Sequence, residues 1–316
     1  MKLFTGNANP KLAASIASLL NTEVVRGSVS RFSDGEIRVE IEESVRGDDV
    51  FIIQPTCRPV NDHLMELLIA IDAFKRASAG RITAVLPYFG YSRQDKKIKP
   101  REPISASLVA TLITAAGADR LLTMDLHALQ IQGFFHFPVD HLPAGPIIAD
   151  HLVAQGLSGD QVVVVSPDIG AVGMARAYAD RLQASVAIIV KRRPEPNKVQ
   201  VLEVIGDVAG KICVLVDDIV DTAGSLVEGA RTLCERGASA VYACATHPIL
   251  SGGAIERIQK SPIRHLVVTD TIPIPETQPT SRITVLSVAR SLADSIRCIH
   301  EDASISTLFR ANWKTT

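Results

Sequence analysis

The sequence predicts an α/β protein made of two similar doubly wound parallel-sheet domains, with a hairpin flap near the N-terminus. Three observations carry that prediction. The 316 residues exceed the roughly 100–200 of one ordinary domain. Hydrophobic residues make up 47% and aromatic residues only 4%, so the core must be built from Val, Ile, Leu and Ala, as in parallel strands covered by helices. Short aliphatic runs also alternate with amphipathic helical stretches almost throughout.

In chain order, residues 50–54 read as a strand, 61–77 as a helix, 82–86 as a strand, 104–116 as a helix and 120–124 as a strand. A connection rich in Pro and Gly occupies 141–146. The rhythm then restarts with strand 162–166, a helix from about 172 to 181, strands 186–190 and 211–216, a helix from about 225 to 236, and strand 241–246. In each half a βαβ unit ends in a strand followed by Asp, in MDLH at 124–127 and SPD at 166–168, which suggests duplication. The domains are expected at 1–145 and 146–316, with the tail from about 300 packing back on the first. Near the N-terminus, 24–29, 32–36 and 36–41 read as short strands around the turn signal Ser33-Asp34-Gly35, hence the flap.

Charge and cysteine content exclude several classes. Lys and Arg total 33 against 34 Asp and Glu, a net charge of -1, so no global field favours nucleic acid or an anionic membrane. The five cysteines are scattered without a C-x-x-C pair, which suits reduced thiols rather than disulfides or zinc. The opening MKLFTGNANP has only a short apolar run and no stretch approaches a membrane span of ~18 residues. A soluble, cytoplasmic protein is expected.

The chemistry concentrates in VLVDDIVDTAGSL at 214–226. The strand is expected to end at Val216, with Asp217 and Asp218 next and Asp221-Thr222-Ala223-Gly224-Ser225 turning into a helix. Backbone N–H groups and the Thr222 and Ser225 hydroxyls at a helix N-terminus can hold a phosphate dianion, and Ala223 and Gly224 are small enough to let it approach. Asp217 and Asp218 can accept hydrogen bonds from ribose hydroxyls. An N-cap by Asp or Thr explains one acid there but not three. Neither G-x-x-x-x-G-K-[ST] nor G-x-G-x-x-G occurs, so a nucleotide must be held in another way.

This loop resembles the phosphoribosyl-binding loop of the type I phosphoribosyltransferase fold, with Ser225 where Thr is usual. The chain also carries FSDGE at 32–36, ESVRG at 43–47, YSRQD at 91–95, MDLHALQIQGFF at 124–135, SPD at 166–168 and KRRP at 191–194. Together these motifs resemble the ribose-phosphate pyrophosphokinases of bacterial and mammalian type over nearly the whole chain.

That resemblance implies transfer of a pyrophosphoryl group from Mg-ATP to the 1-hydroxyl of ribose 5-phosphate, with Mg2+ as cofactor. It implies ATP binding by Phe32, Asp34 and Glu36 of the flap, supplied to a neighbouring subunit, and by Arg93, Gln94 and Arg101. It places His127 and Asp168 at the metal. Read alone, His127 suits a structural role, since magnesium prefers oxygen donors. Lys191 and Arg193 would close over the triphosphate and neutralise charge on the transferring group. Ser44, Arg46, Ser304 and Ser306 would form a site at subunit contacts where phosphate activates and ADP inhibits a hexamer. One departure is Asp168-Ile169-Gly170-Ala171, where a small or His residue and a second Gly are usual. The rival readings are a phosphoribosyltransferase, a non-catalytic synthetase-associated subunit, and an RNA-binding regulator, the last disfavoured by the balanced charge.

Overall fold

The computed structural model describes residues 1–192, 201–275 and 281–309. The chain divides into two compact units, the first comprising Met1–Pro143, Thr271–Pro273 and Ser287–Leu308, the second built on Ala144–Asp270 and Ile274–Leu286.

In the first unit, β1 (Lys2–Thr5) leads into α1 (Pro10–Leu19), which starts with proline and whose N-cap Asn9 side chain accepts the Leu12 N–H at 3.3 Å. The hairpin β2 (Gly27–Arg31) and β3 (Ile37–Ile41) follows, then β4 (Asp49–Ile53), α2 (Val60–Arg76), β5 (Arg81–Leu86), α3 (Ser105–Ala116), β6 (Arg120–Met124) and β7 (Val139–Leu142). Among the described residues β1, β4, β5, β6 and β7 lie side by side in chain order, all parallel. Val50, Phe51, Ile52 and Ile53 are each 0% exposed, so both faces of β4 are covered and its run is apolar rather than alternating. Each such side chain contributes roughly 1.5–3 kcal/mol of burial.

Residues 32–36 do not form the expected strand. Phe32 N–H donates to Glu36 O at 2.8 Å, Gly35 N–H donates to Phe32 O at 2.9 Å, and Asp34 Oδ1 accepts the Glu36 N–H at 3.1 Å. These groups close a turn in which Gly35 has φ +97°, and the ladder therefore stops at Arg31 and Ile37. The hairpin base is tied to the sheet: the Asn7 amide donates to Val29 O at 3.1 Å and to Glu66 Oε1 at 2.9 Å, and Gln54 Nε2 donates to Glu66 Oε2 at 2.7 Å.

The second unit contains α4 (Gly145–Ala154), β8 (Val162–Ser166), α5 (Val172–Leu182), β9 (Ser185–Arg192), β10 (Val201–Ile205), β11 (Ile212–Val220), α6 (Gly224–Glu235), β12 (Ala240–Pro248), α7 (Ala254–Gln259), β13 (Ile263–Thr269) and β14 (Ile283–Leu286). Among the described residues its sheet runs β10-β9-β8-β11-β12-β13-β14, parallel except for β10 against β9. The chain steps from β8 to β9 and β10 on one side, then returns to the other side of β8 as β11. This reversal is the doubly wound feature, and ligands in such sheets gather at the carboxyl ends of the two strands that flank it. The first sheet has the same parallel α/β build without a reversal.

Helix α8 (Ala289–His300) belongs to the first unit and packs on α1. Its end is held by Arg81, which forks onto Asp49 at 2.8 and 2.6 Å and donates to Ile299 O at 2.8 Å, while His300 Nδ1 lies 2.9 Å from Asp49 Oδ2. Burial raises the Asp49 pKa, but the hydrogen bonds from Arg81 and His300 outweigh it and the net shift is downward. A short helix, α9 (Ser306–Phe309), follows.

Candidate active site

Strand β11 runs past the expected end at Val216 as far as Val220, still paired with β12 through Asp217 with Ala245, Ile219 with His247 and Val220 with Pro248. Asp217 and Asp218 therefore stand on the strand rather than beyond it, because pairing with β12 extends a ladder whose apolar run has ended. Side-chain alternation changes parity here. Cys213 and Leu215 pack in one core and Val214 and Val216 in the other, yet Val220 returns to the core of Cys213 and Leu215. The two carboxyl groups interact directly at this irregularity, and Asp217 Oδ1 accepts the Asp218 N–H at 2.9 Å. Burial, then the charges of Asp218 and Asp168, push the Asp217 pKa up to about 8.

Helix α6 opens three residues after Asp221. Its N-cap, Ala223, is left-handed at φ +60°, and no side chain caps the helix. The first-turn N–H groups are thus the kind of orphan donors that bind anions. Thr222, Gly224 and Ser225 are exposed and Ala223 is buried. A Cβ at Gly224 would lie 3.7 Å from Thr222 Oγ1, an ordinary contact, so packing does not demand glycine there. Asp221 Oδ1 accepts the Ser251 hydroxyl at 2.5 Å.

At the end of β8, Ser166 Oγ donates to Asp168 O at 2.6 Å and Asp168 Oδ1 accepts the Ala171 N–H at 3.0 Å. A Cβ at Gly170 would sit 3.2 Å from Asp168 Oδ1. Gly170 thus gives the Asp168 carboxyl room for its bond to Ala171, while Ile169 is 73% exposed and packs on little. Lys191 lies on β9 opposite Leu202, its side chain outside the described residues. Arg193 lies outside them altogether.

In the first unit, Phe32 is 50% exposed, with the Arg38 guanidinium carbon 5.7 Å from its ring centroid. Asp34 and Glu36 are exposed on the same turn. Arg93, Gln94 and Arg101 are exposed along the segment between β5 and α3, where Arg101 has φ +69°. The Ser105 hydroxyl donates to Gln94 Oε1, so the amide NH2 is the end turned away from Ser105. His127 is exposed just after β6. Its loop is pinned to β7: Asp125 N–H donates to Leu142 O at 3.0 Å, and Leu126 N–H donates to His141 Nε2 at 2.9 Å. Burial lowers the His141 pKa, which keeps the ring neutral and able to accept that bond. Ser44 and Arg46 are exposed before β4, and the hydroxyls of Ser304 and Ser306 lie 2.8 Å apart.

Known proteins can be set beside this geometry. A family profile described as the N-terminal domain of ribose phosphate pyrophosphokinase matches residues 1–117, and one described as the phosphoribosyl synthetase-associated domain matches residues 192–310. The ribose-phosphate pyrophosphokinase of Caldanaerobacter subterraneus subsp. tengcongensis is 59% identical over 98% of both chains, and that of Clostridium perfringens 57% identical over 98% of both. The chain belongs to the ribose-phosphate pyrophosphokinase family. It is accordingly an enzyme, a pyrophosphoryl transferase of nucleotide biosynthesis. The crystal structure of phosphoribosylpyrophosphate synthetase from Mycobacterium smegmatis superposes with a TM-score of 0.91 at 45% identity, covering 96% of this chain and 99% of that one.

Within a ribose-phosphate pyrophosphokinase, the second unit brings Asp168, Asp217, Asp218 and the loop at 221–225 to the carboxyl ends of β8 and β11, the two strands at the reversal. Among the described residues no three His, Cys, Asp or Glu side chains form a metal-holding group, and no helix is long and apolar enough to cross a membrane. Sequence reasoning passed over Ser251, Arg257 and His141, which touch loop backbone or loop side chains. The turn residues Ser251-Gly252-Gly253 directly after β12 are the signal that points to the first two.

Proposed function

We propose that this chain transfers the pyrophosphoryl group of Mg-ATP to the 1-hydroxyl of ribose 5-phosphate, giving phosphoribosyl pyrophosphate and AMP. The observation that carries the reading is the uncapped, left-handed entrance to α6 next to the Asp217–Asp218 pair at the strand reversal. Its N–H groups with Thr222 and Ser225 take the 5-phosphate, and Asp217 and Asp218 accept the 2- and 3-hydroxyls, which aims the 1-hydroxyl. Residues 1–145 carry the ATP half and 146–316 the sugar half.

The donor set fits a hard divalent cation. Asp217 is pushed up partly by the charges of Asp218 and Asp168, an excess of negative charge that such a cation relieves, and magnesium needs few protein ligands because it keeps water and phosphate oxygens. His127 and Asp168 would hold it, and when bound it neutralises phosphate charge. Phe32 stacks on adenine, Asp34 and Glu36 accept its amino group, and Arg93, Gln94 and Arg101 hold the phosphates and sugar of ATP. The 1-hydroxyl oxygen attacks the β-phosphorus in line, the bond from that phosphorus to the bridging oxygen of the α-phosphate breaks so that AMP departs with that oxygen, and the hydroxyl proton passes to water. No general base is required, since positioning and charge neutralisation do most of the work in phosphoryl transfer.

Measuring AMP formed from ATP with and without ribose 5-phosphate tests the reaction. Sugar-dependent AMP is expected, and AMP that is absent or independent of the sugar overturns it. A phosphoribosyltransferase would instead release pyrophosphate in response to a base.

The protein is further proposed to be cytoplasmic and to assemble as a homo-oligomer, a hexamer, with Ser44, Arg46, Ser304 and Ser306 binding phosphate as activator and ADP as inhibitor. Raising inorganic phosphate at fixed substrates should increase the initial rate several-fold, on the ordinary scale of allosteric coupling at about 1–3 kcal/mol. A flat response refutes this.

A further inference from the structure

The loop at 221–225 is held in an unfavourable backbone state, and its neighbours explain why it stays there. Ala223 has φ +60°, a conformation that a residue with a Cβ leaves unless its surroundings over-determine it. Relaxation to a right-handed conformation would turn the N–H groups of the first turn of α6 away from one another's aim. The turn after β12 and Arg257 of α7 together meet the end of β11 and this loop through four hydrogen bonds. Leu250 N–H donates to Val220 O at 3.0 Å, Ser251 N–H donates to Asp221 O at 3.1 Å, the Ser251 hydroxyl donates to Asp221 Oδ1 at 2.5 Å, and Arg257 of α7 donates to Thr222 O. The same guanidinium donates to Gly252 O at 3.4 Å, so it bridges the turn to the loop. The turn is itself shaped for this contact: Leu250, Gly252 and Gly253 have φ of +49°, +56° and +75°, and a Cβ on Gly252 would lie 3.8 Å from Thr222 Cγ2.

We infer that the turn at 250–253 and Arg257 form a buttress that fixes the left-handed entrance to α6, making Ser251 and Arg257 positioning residues for ribose 5-phosphate. The inference rests on the reading of residues 221–225 as the 5-phosphate loop. Neither side chain needs to touch the sugar: both act through the carbonyl and carboxyl groups of Asp221 and Thr222, immediately before Ala223. Arg257 requires its fork, because a lysine ammonium does not span two carbonyls in the same fixed geometry.

The test is steady-state kinetics with each substrate varied in turn. Ser251→Ala and Arg257→Ala should raise the KM for ribose 5-phosphate about tenfold while that for Mg-ATP changes less than about twofold. Arg257→Lys should resemble Arg257→Ala. Adding Ala223→Gly to Ser251→Ala should recover about threefold of the loss, because glycine adopts positive φ without the buttress. A general loss of structure would move both KM values and would not be relieved by glycine. Equal increases for both substrates, an unchanged KM for ribose 5-phosphate, or a further increase with Ala223→Gly overturns the buttress. Thr222→Ala and Ser225→Ala separate this from its premise: a raised KM in these two with a normal KM in Ser251→Ala and Arg257→Ala defeats the buttress alone, whereas a normal KM in all four defeats the phosphate-loop reading as well.

Discussion

Asp217→Asn is expected to stabilise the unliganded protein while removing nearly all of its turnover. Asp217 is pushed up to about 8 by burial and by the charges of Asp218 and Asp168, against about 3.9 in an unfolded chain. The folded protein therefore keeps a proton that the unfolded chain gives up between those values. Below the lower value both states are protonated and the site costs nothing. Between the two values the unfolded chain gains by ionising while the folded site keeps its proton, so stability falls as pH rises from about 4 and levels off above the folded value, where both states are ionised. Asparagine mimics the neutral form and its Oδ1 can still accept the Asp218 N–H, so its advantage should be small near pH 4.5 and largest near pH 8. One pKa unit corresponds to about 1.4 kcal/mol. Allowing for solvent access, a gain of about 1–2 kcal/mol, or roughly 3–6 °C, is expected at pH 8.

Turnover should move the other way. Above the folded value an ionised Asp217 is a charged acceptor for the proposed ribose hydroxyl, worth about 1.5–3 kcal/mol, so kcat/KM measured there should fall about 10- to 100-fold. Thermal melts across pH, paired with AMP formation, check both halves. A lower melting temperature for Asp217→Asn at pH 8 would sink the electrostatic account, and normal turnover would remove Asp217 from the sugar site.

The acids of β11 were legible from sequence because charged residues interrupting an aliphatic run have few structural explanations. The length of β11 was not, since its last residues are held by β12, and no local window contains that partner. Residues 32–36 were read as a short strand although they contain the turn signal Ser33-Asp34-Gly35, and Asp34 and Gly35 commit the whole segment to a turn. The return of α8 to the first unit depends on Asp49 and His300, 251 positions apart. Ser251 and Arg257 escaped notice because they grip carbonyl and carboxyl groups, and such contacts carry no residue-type pattern. The ligand class was read from the loop at 214–226, whereas the choice between making and consuming phosphoribosyl pyrophosphate rested on the wider motif set of the first half together with KRRP at 191–194.

The largest kinetic effect is expected from Lys191→Ala and Arg193→Ala. Lys191 stands on β9 opposite Leu202, and Arg193 follows in the sequence outside the described residues. In pyrophosphoryl transfer, negative charge redistributes over the transferring group and the departing AMP, and a cation aimed at that charge counts most in the transition state. A donor of this kind is worth roughly 10²–10³ in turnover, and supplied arginines in phosphoryl transfer reach about 10³–10⁵. Either substitution should therefore lower kcat by about 10³-fold with the KM for ribose 5-phosphate changed by less than about threefold, because the proposed sugar site is built from β11 and α6. The double variant should fall short of the product of the single effects if the two cations act on the same charge, as groups in one network do. Unchanged turnover in both single variants removes them from catalysis. An increase confined to the KM for ATP would instead make them binding residues that act equally on ground state and transition state.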